Sequence, residues 1–408
     1  MNRPLTPWLL ATVLASTTAT AFADEVDDAL AAIAKVGPQA VGSVAARQAH
    51  DLLARRGTEV LPKLLAAMDT TNVVAANWCR SAYENIVERE QARTQPSFPL
   101  AELRGFVADP AHQGRVRRLA LKLLDTLEPE FKSKQIPRML DDPEFRADAV
   151  QATLDAGTKA EAAGDREAAV AEFRKAFEHS RAADQVSQSA ARLVALGETT
   201  DIVAHLGFVV DWYLIGPFDA PEYSGFATVF PPEEISNGSG IRENSEVPVQ
   251  TPTISAVVNL QAQYTGQGDR PIGWRRHHST DSFGQLNLMT MIAPAKEAVG
   301  YAYSELVASG ELQAELRCGA DDNCTVWLNG RRVLAREQWL NGTRLDRFVV
   351  PVRLREGTNR LLVKICQGPQ HKDPDVPNNW SLQLRFCDAT GVGLGLVSGL
   401  PPESDRSP

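Results

Sequence analysis

The chain has 408 residues, with 51 Asp and Glu against 42 Lys and Arg, a formal charge of −9. That acidic balance excludes a nucleic-acid surface, which needs a basic patch, and a 43 % hydrophobic content excludes a disordered chain. Five Cys and seven His are too few for a dense disulfide or metal scaffold, and the length suits two or three domains with real cores. Residues 1–23 read as a cleaved secretory peptide. Arg3 opens it, the middle around Trp8-Leu9-Leu10 is uncharged, and Ala21-Phe22-Ala23 supplies small residues at −3 and −1. The expected location is periplasmic or secreted, with no membrane span after cleavage, because later apolar stretches are short and interrupted.

From residue 24 to about 207 the apolar residues recur at helical spacing. Glu59 to Met68 carries Val60, Leu61, Leu64, Leu65 and Met68 on one face, and a second helix follows from Val73. Leu100 to Ala108 and Arg115 to Leu127 form another pair. These pairs, over residues 24–140, resemble HEAT-type repeats, which stack because one pair cannot bury its own apolar face. Within 141–207, Ala163-Gly164-Asp165 separates two helical runs, the second carrying Phe173 and Phe177 at i and i+4 among Ala168, Ala169 and Ala176. That stretch resembles a tetratricopeptide hairpin, where small residues admit a close helix and the rings fill the groove.

Near Val209 the pattern changes to short runs rich in Val, Ile, Thr, Tyr and Trp, broken by Gly, Pro, Asn and Asp. Nine strands are expected: Val209–Ile215, Trp274–Arg276, Gly300–Leu306, Glu311–Cys318, Thr325–Leu328, Arg331–Leu334, Asp346–Val352, Asn359–Ile365 and Trp380–Phe386. Asn329-Gly330 is a hairpin turn, since both residues tolerate positive φ. The run Asp321-Asp322-Asn323-Cys324-Thr325-Val326-Trp327-Leu328-Asn329-Gly330, the return through Gly357-Thr358-Asn359 and the closing Trp380-Ser381-Leu382 together resemble a galactose-binding-like jelly roll over 208–390. The opening Trp212 to Asp219 resembles the lead-in to such domains in large secreted bacterial proteins. The expected fold is therefore multidomain: an α-helical repeat-like region followed by an antiparallel jelly-roll β-sandwich, with residues 391–408 as a flexible tail. The fold hosts sugar binding, adhesion and scaffolding alike, so the resemblance selects no activity.

Candidate functional residues fall in this second half. Trp339 in a loop and Trp327, alternating with core positions Val326 and Leu328, are candidate carbohydrate platforms, because sugar rings present apolar C–H faces. Tyr264, Arg275 and His277 are their candidate neighbours. Asp321 and Asp322 read first as turn residues; with Asp219 they could hold a structural calcium ion, although no EF-hand spacing is present. Adjacent carboxylates in a strand face opposite ways, which argues against an acid–base pair. Cys318 with Cys324 and Cys366 with Cys387 give the simplest disulfide pairing, leaving Cys79 free. No serine elbow, phosphate loop or zinc spacing occurs. No catalytic residue and no cofactor is therefore assigned.

The leading expectation is a secreted, non-catalytic binding or scaffold protein recognising a glycan or a cell-surface or periplasmic protein. One alternative is a polysaccharide-acting enzyme, a hydrolase or lyase, with its site in the interdomain groove or the 219–273 insertion and Glu233, Asp219, His277 and Arg275 as first candidates. Another is a purely structural component, in which Gly216-Pro217-Phe218 packs against the helices of Phe173 and Phe177 instead of lining a pocket.

Overall fold

The computed structural model describes residues 25–233, 254, 257–339, 342–369, 371–373 and 379–400. The expected secretory segment and residues 401–408 lie outside the described residues. The chain divides into two compact units, 1–152 and 153–408.

The first unit is helical. It holds α1 (25–34), α2 (Ser43–Ala54), α3 (Leu61–Met68), α4 (Val73–Gln91), α5 (Leu100–Ala108), α6 (Gly114–Leu127), α7 (Phe131–Gln135) and the start of α8 (Arg146–Ala162). As the apolar spacing requires, α3 packs on α4 and α5 on α6, with Leu61, Leu64, Leu65 and Met68 all buried. Asn72 caps α4 by accepting from the Ala75 amide at 3.1 Å, and its Nδ2 donates to the Val36 carbonyl at 2.7 Å. Arg117 is buried inside α6; its guanidinium donates to the Val107 carbonyl at the end of α5 and to Asp142 at 3.1 and 2.5 Å. Asp142 also accepts from the amides of Glu144 and Phe145 before α8. Burial alone would raise its carboxyl, but Arg117 and those amides outweigh it and hold the group below its usual value.

The second unit begins within α8 and continues with α9 (Arg166–His179), α10 (Ala183–Ala195) and α11 (Ile202–Leu206). Asp165 caps α9, accepting from the Ala168 amide at 3.0 Å. Phe173 is fully buried against Gly157 of α8, where an added Cβ would stand 2.8 Å from the ring. The glycine is therefore what lets α8 and α9 close. Gly207 ends α11 at φ +77, and an added Cβ there would lie 2.2 Å from the Phe386 carbonyl oxygen. Only glycine meets both demands.

The strands are β1 (Asp211–Asp219), β2 (Gln263–Thr265), β3 (Pro271–Gly273), β4 (Arg275–His278), β5 (Leu286–Asn287), β6 (Ala298–Ala308), β7 (Leu312–Asp321), β8 (Asn323–Leu328), β9 (Arg331–Arg336), β10 (Phe348–Leu354), β11 (Gly357–Gln367), β12 (Ser381–Cys387) and β13 (Val397–Ser398). A short helix, α12 (Leu288–Met291), follows β5. All nine expected strands are present. Among the described residues they form a seven-stranded antiparallel sheet in the order β4-β1-β6-β11-β8-β9, with β13 also on β6, and a four-stranded sheet in the order β10-β7-β12-β5. The chain passes between the two sheets at β4–β5, β5–β6, β6–β7, β7–β8, β9–β10, β10–β11, β11–β12 and β12–β13. Inward side chains from both sheets, among them Trp212, Leu316, Val326, Val363, Trp380 and Phe386, make one apolar core. Period-2 alternation explains it: Leu361, Val363 and Ile365 face this core, while Leu362, Lys364 and Cys366 face the other way.

That other face of the larger sheet is covered as well. Phe218 of β1, with Phe230, Ile254 and Trp274 from the segment after β1, packs there on Tyr301, Tyr303 and Leu362. Lys364 is buried in this layer, pairing with Glu233 Oε1 at 2.8 Å and donating to the Thr228 carbonyl at 2.5 Å. The Tyr301 hydroxyl donates to the same Glu233 oxygen.

Three expectations need correction. Trp327 does point away from Val326 and Leu328, but the face it joins is covered, and it is 4 % exposed instead of offering a platform. The four cysteines of this unit are all free and buried. Cys366 faces the covered layer of the larger sheet, whereas Cys387 lies on the smaller sheet with its thiol toward the Glu315 carbonyl, so the two cannot bridge. Cys318 and Cys324 do meet across the core, but as thiols. Their mutual hydrogen bond and then burial hold Cys318 well above its ordinary pKa, in the protonated, unreactive form. Residues 391–400, expected as flexible tail, are ordered: β13 pairs with β6, the Gly393 amide donates to the His205 carbonyl at 3.1 Å, and Leu400 is buried.

Candidate functional site

Strand register brings several chain segments to one end of the two sheets. Asp219 lies opposite Ala298, Ala298 opposite Gln367, Cys366 opposite Asn323, and Asp321 opposite Ser381. The corner between β7 and β8 consists of Asp322 alone, so strict strand alternation does not apply to the Asp321-Asp322 pair. Both carboxyls are buried, at 5 and 4 % exposure, and they hydrogen-bond to each other. Asp322 Oδ2 also accepts from the Gly368 amide at 3.0 Å. Burial, the hydrogen bond to Asp322 and the charge of Asp322 push the Asp321 carboxyl up to about 8, against the opposing charges of Lys296 and Arg347. Asp321 therefore keeps its proton at neutral pH and can donate it in a hydrogen bond.

Two rings border this pair. Tyr223 and Trp339 meet edge to face with centroids 4.7 Å apart. Gly368 sits between rings and carboxylate: an added Cβ would lie 3.0 Å from Asp322 Oδ2, 3.4 Å from Trp339 and 3.6 Å from Tyr223. Tyr223 is 43 % exposed, so the aromatic pair reaches solvent. Beside it, the amide nitrogens of Asn323 and Gln338 are buried without a hydrogen-bond partner among the described residues. The backbone N–H of Gln338 donates to Asn323 Oδ1, and the Thr343 and Ser381 hydroxyls bond to each other. Aromatic edges, a protonated carboxyl, a carboxylate and unpartnered amides thus gather at one sheet end.

The remaining expected residues go elsewhere. Asp219 is at the same end but its carboxylate accepts from Gln267 Nε2 at 3.2 Å, and among the described residues no three His, Cys, Asp or Glu side chains gather as a metal site. Tyr264 packs on Phe218 with centroids 6.1 Å apart. Arg275 and His277 line a separate groove of about 490 Å³ beside β1. Burial and the Arg275 charge lower the His277 pKa. Glu233 is taken up by Lys364 and Tyr301. Trp339, Asp321 and Asp322 were legible as candidates from sequence. Tyr223, Gly368, Gln338 and the side chain of Asn323 were not, because loops distant in sequence supply them and no local spacing links them.

No family model matches the chain, and no curated protein matches it. Solved structures that share part of it include two carbohydrate-active enzymes. One is a glycosyl hydrolase family 2 member from Bacteroides cellulosilyticus, at 13 % identity and a TM-score of 0.23, covering 45 % of this chain and 20 % of that one. The other is a GH31 α-xylosidase from Xanthomonas citri, at 16 % identity and a TM-score of 0.18, covering 29 % of this chain and 15 % of that one. At these scores the likeness assigns neither fold family nor activity. No described helix is long and apolar enough to cross a membrane.

Proposed function

We propose that the protein is an exported, non-catalytic binding protein whose β-rich unit, a galactose-binding-like jelly roll, recognises a glycan at the sheet end beside Trp339. The observation that carries this reading is the Tyr223–Trp339 pair standing over the Asp321-Asp322 carboxyls. An aromatic edge suits the C–H face of a sugar ring, while carboxyl and amide groups exchange hydrogen bonds with its hydroxyls. The repeated passage of the chain between two sheets supports the jelly-roll assignment.

Catalysis is disfavoured by the same geometry. Glycoside hydrolysis uses two carboxyls about 5–9.5 Å apart with the sugar between them, whereas Asp321 and Asp322 bond to each other. The residues named for an enzyme do not converge, since Glu233 is buried in its ion pair and Asp219 is bonded to Gln267. A purely structural role is disfavoured because Gly216 and Pro217 line a groove and Phe218 packs on Phe230 and Tyr301, not on Phe173 or Phe177.

The test is a neutral-glycan array followed by titration of the best ligand. Trp339→Ala is expected to weaken binding at least tenfold, about 1.4 kcal/mol, with an unchanged Tm. Equal affinity of variant and wild type would remove this site from the reading.

A further inference from the structure

β4 is the edge strand of the larger sheet, and its register on β1 sets which of its residues face inward. His277 lies opposite Trp212 and Arg275 opposite Leu214, and both partners belong to the core. Directly paired residues share a face, so Arg275 and His277 occupy inward positions where the preceding strands place apolar side chains. Arg276 and His278 take the other face, next to Asp211. An inward charge at a sheet edge can serve to prevent edge pairing, but here the space it faces is a groove of about 490 Å³, within the usual range of small-ligand pockets, roughly 300–1,000 Å³.

The groove has two kinds of wall. Its apolar side is made by Ile215, Pro217, Ile272, Met291 and Ile292. Its polar side carries Arg270, Arg275 and His277, and no Asp or Glu is among the described residues that line it. Arg270 and Arg275 are exposed, and their guanidinium groups have no ion-pair or hydrogen-bond partner among the described residues. His277 Nε2 is buried with none either. In a chain of net charge −9, where most described arginines are matched to carboxylates or carbonyls, two unmatched guanidinium groups and an unmatched imidazole nitrogen converging on one apolar groove form a receptor for an anion. Guanidinium is the side chain best shaped for carboxylate or sulfate oxygens, which it can bind through two parallel hydrogen bonds.

We propose that this groove is a second ligand site, which holds the anionic group of an acidic saccharide, uronate or sulfated, with the sugar's apolar face against Ile215, Ile272 and Met291. The saccharide class rests on the glycan-binding reading above; the sign and shape of the site rest on the groove's own residues. The sheet-end site and the groove share no side chain, so one ligand class can be lost without the other.

The full chain is titrated calorimetrically with trigalacturonate, with a sulfated heparin tetrasaccharide and with neutral galactotriose. At least one charged probe is expected to bind, with affinity falling as salt rises. The Arg270→Ala/Arg275→Ala double variant should lose that binding at least tenfold, and Arg275→Lys should lose part of it. Arg332→Ala, on exposed β9, should keep it within twofold. Preference between uronate and sulfate tells which anion the groove takes. Loss of neutral-trisaccharide binding in the arginine double variant equal to its loss of charged-probe binding, no binding of either charged probe, or equal loss in Arg332→Ala would overturn the proposal. If Trp339→Ala abolishes neutral-glycan binding while the arginine variants change nothing, the groove falls alone. If the arginine variants abolish charged-probe binding while Trp339→Ala changes nothing, the sheet-end reading falls alone.

Discussion

At the scale of single residues, Asp321 is the group whose chemistry its surroundings change most usefully. Its folded pKa of about 8 lies far above the unfolded value of about 3.9. A carboxyl raised in this way favours folding below its unfolded pKa, and that stability is lost as pH climbs toward 8. Between about pH 4 and 8 the native state therefore holds a proton that the unfolded chain has released. His205 and His277, both depressed chiefly by burial, act in the opposite sense below the ordinary histidine value, so the comparison has to be made against a variant. Asp321→Asn should show a less negative slope of Tm against pH than wild type over pH 5–8. Parallel slopes would mean that Asp321 ionises normally. Sequence alone placed Asp321 in a turn but could not see this shift, because it arises from burial and from the carboxyl beside it.

At the scale of elements, β11 shows how one strand serves two layers. Val363 and Ile365 fill the core between the sheets, while Lys364 anchors the covering segment through Glu233 and Thr228, with Tyr301 of β6 donating to the same Glu233 oxygen. Removing one partner of a buried ion pair leaves the other charge stranded, at a cost of about 3–5 kcal/mol. Lys364→Met should lower urea-unfolding stability by about that much, and adding Glu233→Leu should recover a large part. A single-variant effect below about 1 kcal/mol would show that water reaches the pair. The alternation that defines β11 was legible from Leu361, Val363 and Ile365. The partner of Lys364 was not, since Glu233 is far away in sequence. The short strands β2, β3, β5 and β13 also escaped sequence reading, because runs of two or three residues carry no measurable period and exist only where a neighbouring strand pairs with them.

At the scale of the whole molecule, all five cysteines are buried thiols. Burial pushes Cys79 up to about 11 and Cys366 up to about 12, so neither forms thiolate at neutral pH. A thiol reagent should find essentially no reactive cysteine in the native chain and five after denaturation without reductant. Fewer than four in the denatured sample would reveal a disulfide and restore one of the expected bridges. The division after Ala152, inside α8, is also a property of the folded molecule: the helix is continuous in sequence and its two ends pack into different units.

The sequence by itself determined the order of elements, helices first and strands after, because periods of 3.6 and 2 are written locally in the spacing of apolar residues. It also determined the α3–α4 and α5–α6 pairs and singled out Trp339, Asp321 and Asp322 as candidates. Tertiary structure decided everything that depends on which faces meet. It covered the outer face of the larger sheet and so buried Trp327, set Cys366 and Cys387 on different sheets, and turned Arg275 and His277 toward a groove. The reason is physical: a strand's alternation says that two faces differ, but only the layer packed against each face decides which one is left to bind.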